Sequence, residues 1–173
     1  AIDFLGADHH GHTIRFRAGL EALGIDSKRL EFVLYQLVNL MRNGEVVRMS
    51  KRTGNAITLS NLLDEISVDA ARFFFNYRTA ETHLDFDLDL AVKQDSDNPV
   101  YYVQYAHARI CTMLAKLAEE GITPKACDEV DFALLVLPEE KDLVKKIAHL
   151  PEEIRIAARD KDPTRMTRYL VDL

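Results

Sequence analysis

The sequence predicts a mainly α protein with a small α/β part on its amino-terminal side. Three observations carry that expectation. Up to about residue 59, runs of β-branched and aromatic residues flank a single helical stretch and end in an Asn-Gly turn. Beyond that point apolar residues recur at three- and four-residue spacing behind Ser, Thr, Asn and Pro start signals. A hydrophobic content of 47% with 29% charged residues is that of a soluble globular protein, and 173 residues suffice for one ordinary domain or two small ones.

Taken in order, AIDFLGA is a short strand ending at Gly6, where glycine permits close backbone approach. HHGHTIRFRAGLEALG follows as a helix with Ile14, Ala18 and Ala22 on one face and Gly24 as its stop. Leu30–Arg42 is extended and breaks at Asn43-Gly44, so it is expected to pair antiparallel with Glu45–Arg48. Strand, helix, strand is the pattern of the end of an α/β sheet. TLSNLLDEI and SVDAARFFFNYR are helices capped by Thr58 or Ser60 and by Ser67 or Asp69. THLDFDLDLAVKQDSDN is expected to be a solvated acidic connector with a short helix, a poor surface for phosphate.

The longest helix opens near Pro99 and closes at Gly121, with Val103, Ala106, Ile110, Leu114 and Leu117 on one buried stripe. After a loop, three shorter helices follow, each started by a proline. A domain boundary is expected near Asp95–Asn98. The chain begins as though inside a strand and stops as though inside a helix, so it is expected to be an internal piece of something longer.

The net charge is −6, and it is unevenly spread. Residues 1–59 carry 8 basic and 6 acidic side chains, residues 60–97 carry 3 and 9, and residues 98–173 carry 11 and 13. Such a balance argues weakly against non-specific nucleic-acid binding and no DNA partner is expected. Local basic surfaces still suffice for RNA, because a phosphate feels charge only over roughly 10 Å. No apolar run reaches membrane-spanning length, so no membrane partner is expected. Cys111 and Cys127 lack zinc or disulfide spacing, which fits a reducing cytosol.

Two stretches carry chemistry. In EVVRMSKRTGNAITL a short strand runs into a polar, cationic loop holding Arg48, Met49, Ser50, Lys51 and Arg52 beside Gly54 and Asn55. Hydroxyl and amide donors beside fixed positive charge suit phosphate. In GADHHGH, Gly6 stands at a strand end, where ligands of open α/β sheets bind. Asp8 suits a ribose, a cationic ligand or a helix cap. His9, His10 and His12 lack a partner at the i,i+4 spacing of a helical metal site, so no metal is assigned.

Arg48-Met49-Ser50-Lys51-Arg52 resembles the K-M-S-K-S signature of class I aminoacyl-tRNA synthetases, with arginine at its first position. His9-His10-Gly11-His12 imitates their H-I-G-H signature but lies only about three dozen residues before the loop, too close for half a Rossmann fold. GADHHGH, VDAARFFF, HLDFDLDLA and NPVYYVQYAHARI, in that order, make essentially the whole chain resemble the bacterial arginyl-tRNA synthetase family.

The resemblance implies residues 1–59 as the C-terminal part of a Rossmann-type catalytic domain with its β-hairpin and signature loop. Residues 60–97 become a helical connection, and 98–173 the first part of an all-helical anticodon-binding bundle. It further implies ATP-dependent activation of arginine, ATP entering with Mg2+ and no tightly bound cofactor, followed by transfer to tRNA. Lys51, with Ser50 and Arg48, is implied at the β/γ-phosphates; Gly6, Asp8, His9, Met49 and Arg52 are implied against ATP or the substrate. On the long helix Tyr102, Gln104, Tyr105 and Arg109 are candidate tRNA contacts. Without the upstream nucleotide-binding half the piece is expected to be inactive. The rival expectations are a non-catalytic tRNA-binding helical module and a class I synthetase for another amino acid.

Overall fold

β1 (Ile2–Gly6) and β2 (Glu31–Tyr35) lie parallel, joined through helix α1 (His10–Ala22), with Gly6 opposite Tyr35 at the carboxyl ends of both strands. These elements come from a computed structural model that describes residues 1–47 and 57–173. Its contacts divide into two units, Ala1–Val92 and Lys93–Leu173. The described residues are mostly helical, with two small sheets.

The long extended run expected over Leu30–Arg42 is two strands in two different sheets. β2 belongs with β1, whereas β3 (Val38–Arg42) is the centre of a second sheet between β4 (Glu45–Val46) and β5 (Leu84–Asp87). The break falls at Gln36-Leu37, where the Gln36 amide donates to the Ala80 carbonyl at 2.9 Å instead of continuing a ladder. The expected hairpin forms at its tip: Arg42 pairs Glu45 and Met41 pairs Val46, antiparallel, around Asn43 and Gly44. Both turn residues have positive φ, 53° and 75°, the conformation an Asn-Gly turn supplies at least cost.

HLDFDLDLA is not a solvated connector. Leu84–Asp87 is strand β5, parallel to β3, and Leu88–Val92 is helix α4. The alternation is strict: Leu84, Phe86 and Leu88 are buried, Phe86 completely, while the aspartates lie between them. The acids are also used locally. Asp85 accepts from the Asn39 amide at 2.8 Å, Asp87 accepts the Asp89 and Leu90 amides at 2.9 and 3.0 Å, and Asp89 accepts the Asn43 amide.

Helices α2 (Leu59–Glu65) and α3 (Val68–Phe75) close this core. Thr58 and Ser67 are their caps, accepting the Asn61 and Ala70 amides at 3.2 and 3.1 Å. α3 presents Ala70, Ala71 and Phe74 inward, with Phe74 and Phe75 ring centroids 5.3 and 5.1 Å from Phe86. α1 uses a different face from the expected one. Ile14, Ala18 and Ala22 are exposed, and Thr13, Arg17 and Leu20 are the half-buried positions. Arg17 decides this: its guanidinium lies over the Phe32 ring at 5.4 Å and donates to the Ser27 carbonyl at 3.1 Å. The Ser27 hydroxyl and amide in turn donate to Glu21 and hold its carboxyl below the ordinary value of 4.5.

The second unit holds α5 (Pro99–Glu119), α6 (Pro138–Ala148), α7 (Leu150–Asp160) and α8 (Thr164–Asp172). Asn98 caps α5, its carbonyl oxygen 3.0 Å from the Val100 amide, with Pro99 in the first turn. Between α5 and α6 the expected loop contains two short 3-10 turns, Cys127–Glu129 and Phe132–Leu134. α8 supplies the buried Thr164, Thr167 and Tyr169. The Tyr169 hydroxyl donates to the Lys146 carbonyl at 2.9 Å, and the Lys146 ammonium sits 5.4 Å from the same ring. Arg165 reaches Glu153 of α7 at 2.7 Å. The stripe expected to bury α5 is largely uncovered: Ile110 is 52% and Leu114 43% exposed. Among the described residues no helix is long and apolar enough to cross a membrane.

Candidate functional site

Gly6, Asp8 and His9 stand together just beyond the carboxyl end of β1, on the rim where parallel α/β sheets take ligands. The strand stops there because Ala7–His9 winds into a 3-10 turn that leads directly into α1. Gly6 has ordinary extended backbone, so its role is space rather than a special turn. A Cβ at this position would lie 2.5 Å from an Asp8 carboxylate oxygen. Asp8 is turned back over the strand end, and its other oxygen is 3.6 Å from His9 Nε2. It caps nothing: Gly6 and His9 precede the two helical segments and neither start has a side-chain cap.

Tyr35, at the carboxyl end of β2, belongs to the same rim and was not singled out by the sequence. It pairs with Gly6 in register and packs its ring 5.8 Å from that of Phe4. Only the register of a parallel pair could have brought it there. The rim thus offers an acid, an imidazole and an exposed aromatic face around a glycine. That set can hold a ribose or a cationic group and stack against a planar one.

Arg48, Met49, Ser50, Lys51 and Arg52 lie outside the described residues. What is described is how the chain enters and leaves that segment. On one side the Val47 amide donates to the Leu40 carbonyl at 2.7 Å, fixing the end of the hairpin to the central strand. On the other, Thr58 caps α2. Arg42 at the hairpin pairs with Glu65 of α2, so both stems belong to one ion-paired base.

On α5 the candidate contacts share one face except for Gln104. Tyr101, Tyr105 and Arg109 line up at four-residue spacing: the two rings stack at 5.9 Å with 10° between planes, and the Arg109 guanidinium lies 5.8 Å from the Tyr105 centroid. Tyr102, exposed, stands three residues before Tyr105 and seven before Arg109, so it flanks the same face, whereas Gln104, also exposed, is turned away from the row by the helical period. Tyr101, half-buried, extends the row through its i,i+4 relation to Tyr105. Beside the row lies an open groove of about 690 Å3 along α5, whose lining includes Tyr105, Arg109, Met113 and Lys116. Cation, aromatic and apolar surface together suit an unstacked base with its phosphate.

Comparison with known proteins adds a second kind of finding. Residues 103–173 match the family model described as the DALR anticodon binding domain. An arginine–tRNA ligase of Acetivibrio thermocellus is 56% identical over 172 residues, 99% of this chain and 30% of that one. Among solved structures, one from Campylobacter jejuni, assigned as an arginyl-tRNA synthetase, superposes with a TM-score of 0.82 at 38% identity, covering 99% of this chain and 36% of that one. The arginyl-tRNA synthetase of Thermus thermophilus shares the fold, with a TM-score of 0.76 at 20% identity over 99% of this chain and 31% of that one. The chain therefore spans about a third of the length of the relatives it matches.

Proposed function

We propose that this chain is a segment of an arginine–tRNA ligase and joins the end of its catalytic domain to the start of its anticodon-binding domain. The observation that carries the reading is the 56% identity running through 99% of the chain, across both units rather than one motif. In this reading residues 1–59 complete a Rossmann-type nucleotide-binding domain. Residues 60–97 connect it to the helical part, and residues 98–173 begin the bundle that holds the anticodon arm. The partners are ATP with Mg2+, arginine and tRNA.

The chemistry follows from charge. When arginine attacks the α-phosphorus of ATP, negative charge grows on the departing pyrophosphate. Lys51, with Arg48 and Ser50, meets it, while Met49 and Arg52 flank that contact. An arginine in the first position of the signature keeps the charge and can grip phosphate with two donors. Gly6, Asp8 and His9 line the nucleoside or amino-acid side of the pocket, with Tyr35 as an added aromatic wall. On α5, Tyr105 and Arg109 are the stronger tRNA candidates, since they act as one stacked row, which Tyr102 flanks; Gln104 stands on another face.

Replacing Lys51 by Ala in the full-length enzyme that contains this segment is expected to slow arginine-dependent ATP–pyrophosphate exchange a hundredfold or more. That corresponds to about 2.7–4 kcal/mol of lost transition-state stabilisation. The chain alone, without the upstream half of the nucleotide site, is expected to show no exchange with or without tRNA. Normal charging of tRNA by the Lys51→Ala enzyme would instead favour a helical tRNA-binding module whose loop plays no part in catalysis.

A further inference from the structure

We propose that His9 and His12 form a binding site for a borderline divalent transition-metal ion, with Zn2+ as the reference ion and Nδ1 of both imidazoles as its ligands. Sequence spacing argued against such a site, because no i,i+4 pair exists here. The structure supplies another route. His9 ends a 3-10 turn and His12 lies in the first turn of α1, and the change of winding between them brings i and i+3 face to face. The rings meet edge to face, with centroids 4.8 Å apart and planes at 81°. Their Nδ1 atoms are 3.3 Å apart.

That separation matches a metal edge. With zinc–nitrogen bonds of ~2.0–2.1 Å and tetrahedral angles, two imidazole nitrogens on one ion stand about 3.3–3.4 Å apart. Asp8 completes the logic. Its carboxylate oxygen lies 3.6 Å from His9 Nε2, beyond hydrogen-bond length but close enough to place a negative charge beside the ring, on the side away from Nδ1. Imidazole suits Zn2+, Ni2+ and Cu2+ and does not select Mg2+ or Ca2+.

Two features keep such a site open and of modest affinity. Among the described residues no three histidine, cysteine or acidic side chains converge, so water completes the coordination shell. The positive end of α1 opposes a cation, and its first turn holds no acid, so Asp8 is the local counter-charge. The proposal stands on this geometry alone and does not depend on the ligase reading.

The test is calorimetric titration of the chain with Zn2+ alone, at a pH where imidazole is neutral, with circular dichroism as the check on folding. One ion per chain is expected. His12→Ala should weaken binding at least tenfold, and His10→Ala should change it less than twofold. His107 and Cys111 form a competing pair on α5, with Nε2 to Sγ at 3.6 Å, so the double variant His107→Ala/Cys111→Ser is the second control. In the wild-type chain, nitrogen NMR should show metal coordination at Nδ1 of both rings. No binding to the wild type would mean that the pair is only an imidazole hydrogen bond. That result, a loss smaller than tenfold in His12→Ala, coordination through Nε2, or a site abolished by the α5 double variant would each overturn the proposal.

Discussion

Glycines and aromatic residues show what a single position contributes. Gly6 was legible as a point of close approach, but what approaches is the carboxylate of Asp8 two residues later, which a side chain at position 6 would displace. Gly19 is the opposite case. It lies inside α1 with nothing within 4 Å of where a Cβ would stand. Glycine there only adds freedom to the unfolded chain. Gly19→Ala is therefore expected to stabilise the protein by about 0.5–1 kcal/mol, read as a higher urea midpoint with an unchanged slope. A lower midpoint would mean that the outer side of α1 is covered in solution. Of the site residues, Asp8 and His9 were visible as types, yet their mutual contact was not, because it depends on a 3-10 turn that side-chain identity does not announce.

At the scale of elements, capping and turn chemistry were legible and strand partnership was not. Thr58, Ser67, Asn98 and the Asn43-Gly44 turn behave as their local chemistry dictates, since each satisfies backbone donors within a few residues. β5 was missed because the density of aspartates outweighed a two-residue alternation of Leu84, Phe86 and Leu88. The alternation is the stronger physical fact. It puts a ring with no exposed surface against Phe74 and Phe75 while every acid finds a donor or solvent. Phe86→Ala is expected to destabilise the first unit by about 3–5 kcal/mol through lost burial and the cavity left behind. Thermal unfolding followed by circular dichroism measures it. A loss below about 1 kcal/mol would show that β5 is not the floor of this core.

For the whole molecule the telling feature is apolar surface. Ile110, Met113 and Leu114 on α5 are 52%, 55% and 43% exposed, and Phe4 on β1 is 59% exposed. Scattered exposed side chains are ordinary, but rows of them on single elements mark surfaces that bury themselves when they can. The isolated chain is accordingly expected to self-associate as its concentration rises, with apparent mass by light scattering climbing above that of a 19.7 kDa monomer. A constant monomer mass throughout would show that these rows tolerate water.

What the sequence determined by itself was local: which segments wind, where they start and stop, and the order of motifs along one chain. Those are set by interactions between residues a few positions apart, so the information lies in adjacent letters. What only the tertiary structure decided was non-local. It paired β2 with β1 and β3 with β5, chose Thr13, Arg17 and Leu20 as the inward face of α1, brought Tyr35 to the rim beside Gly6, and left the apolar row of α5 bare. Each depends on which surfaces meet, and a helix or strand with two plausible faces carries no local record of which one will be covered.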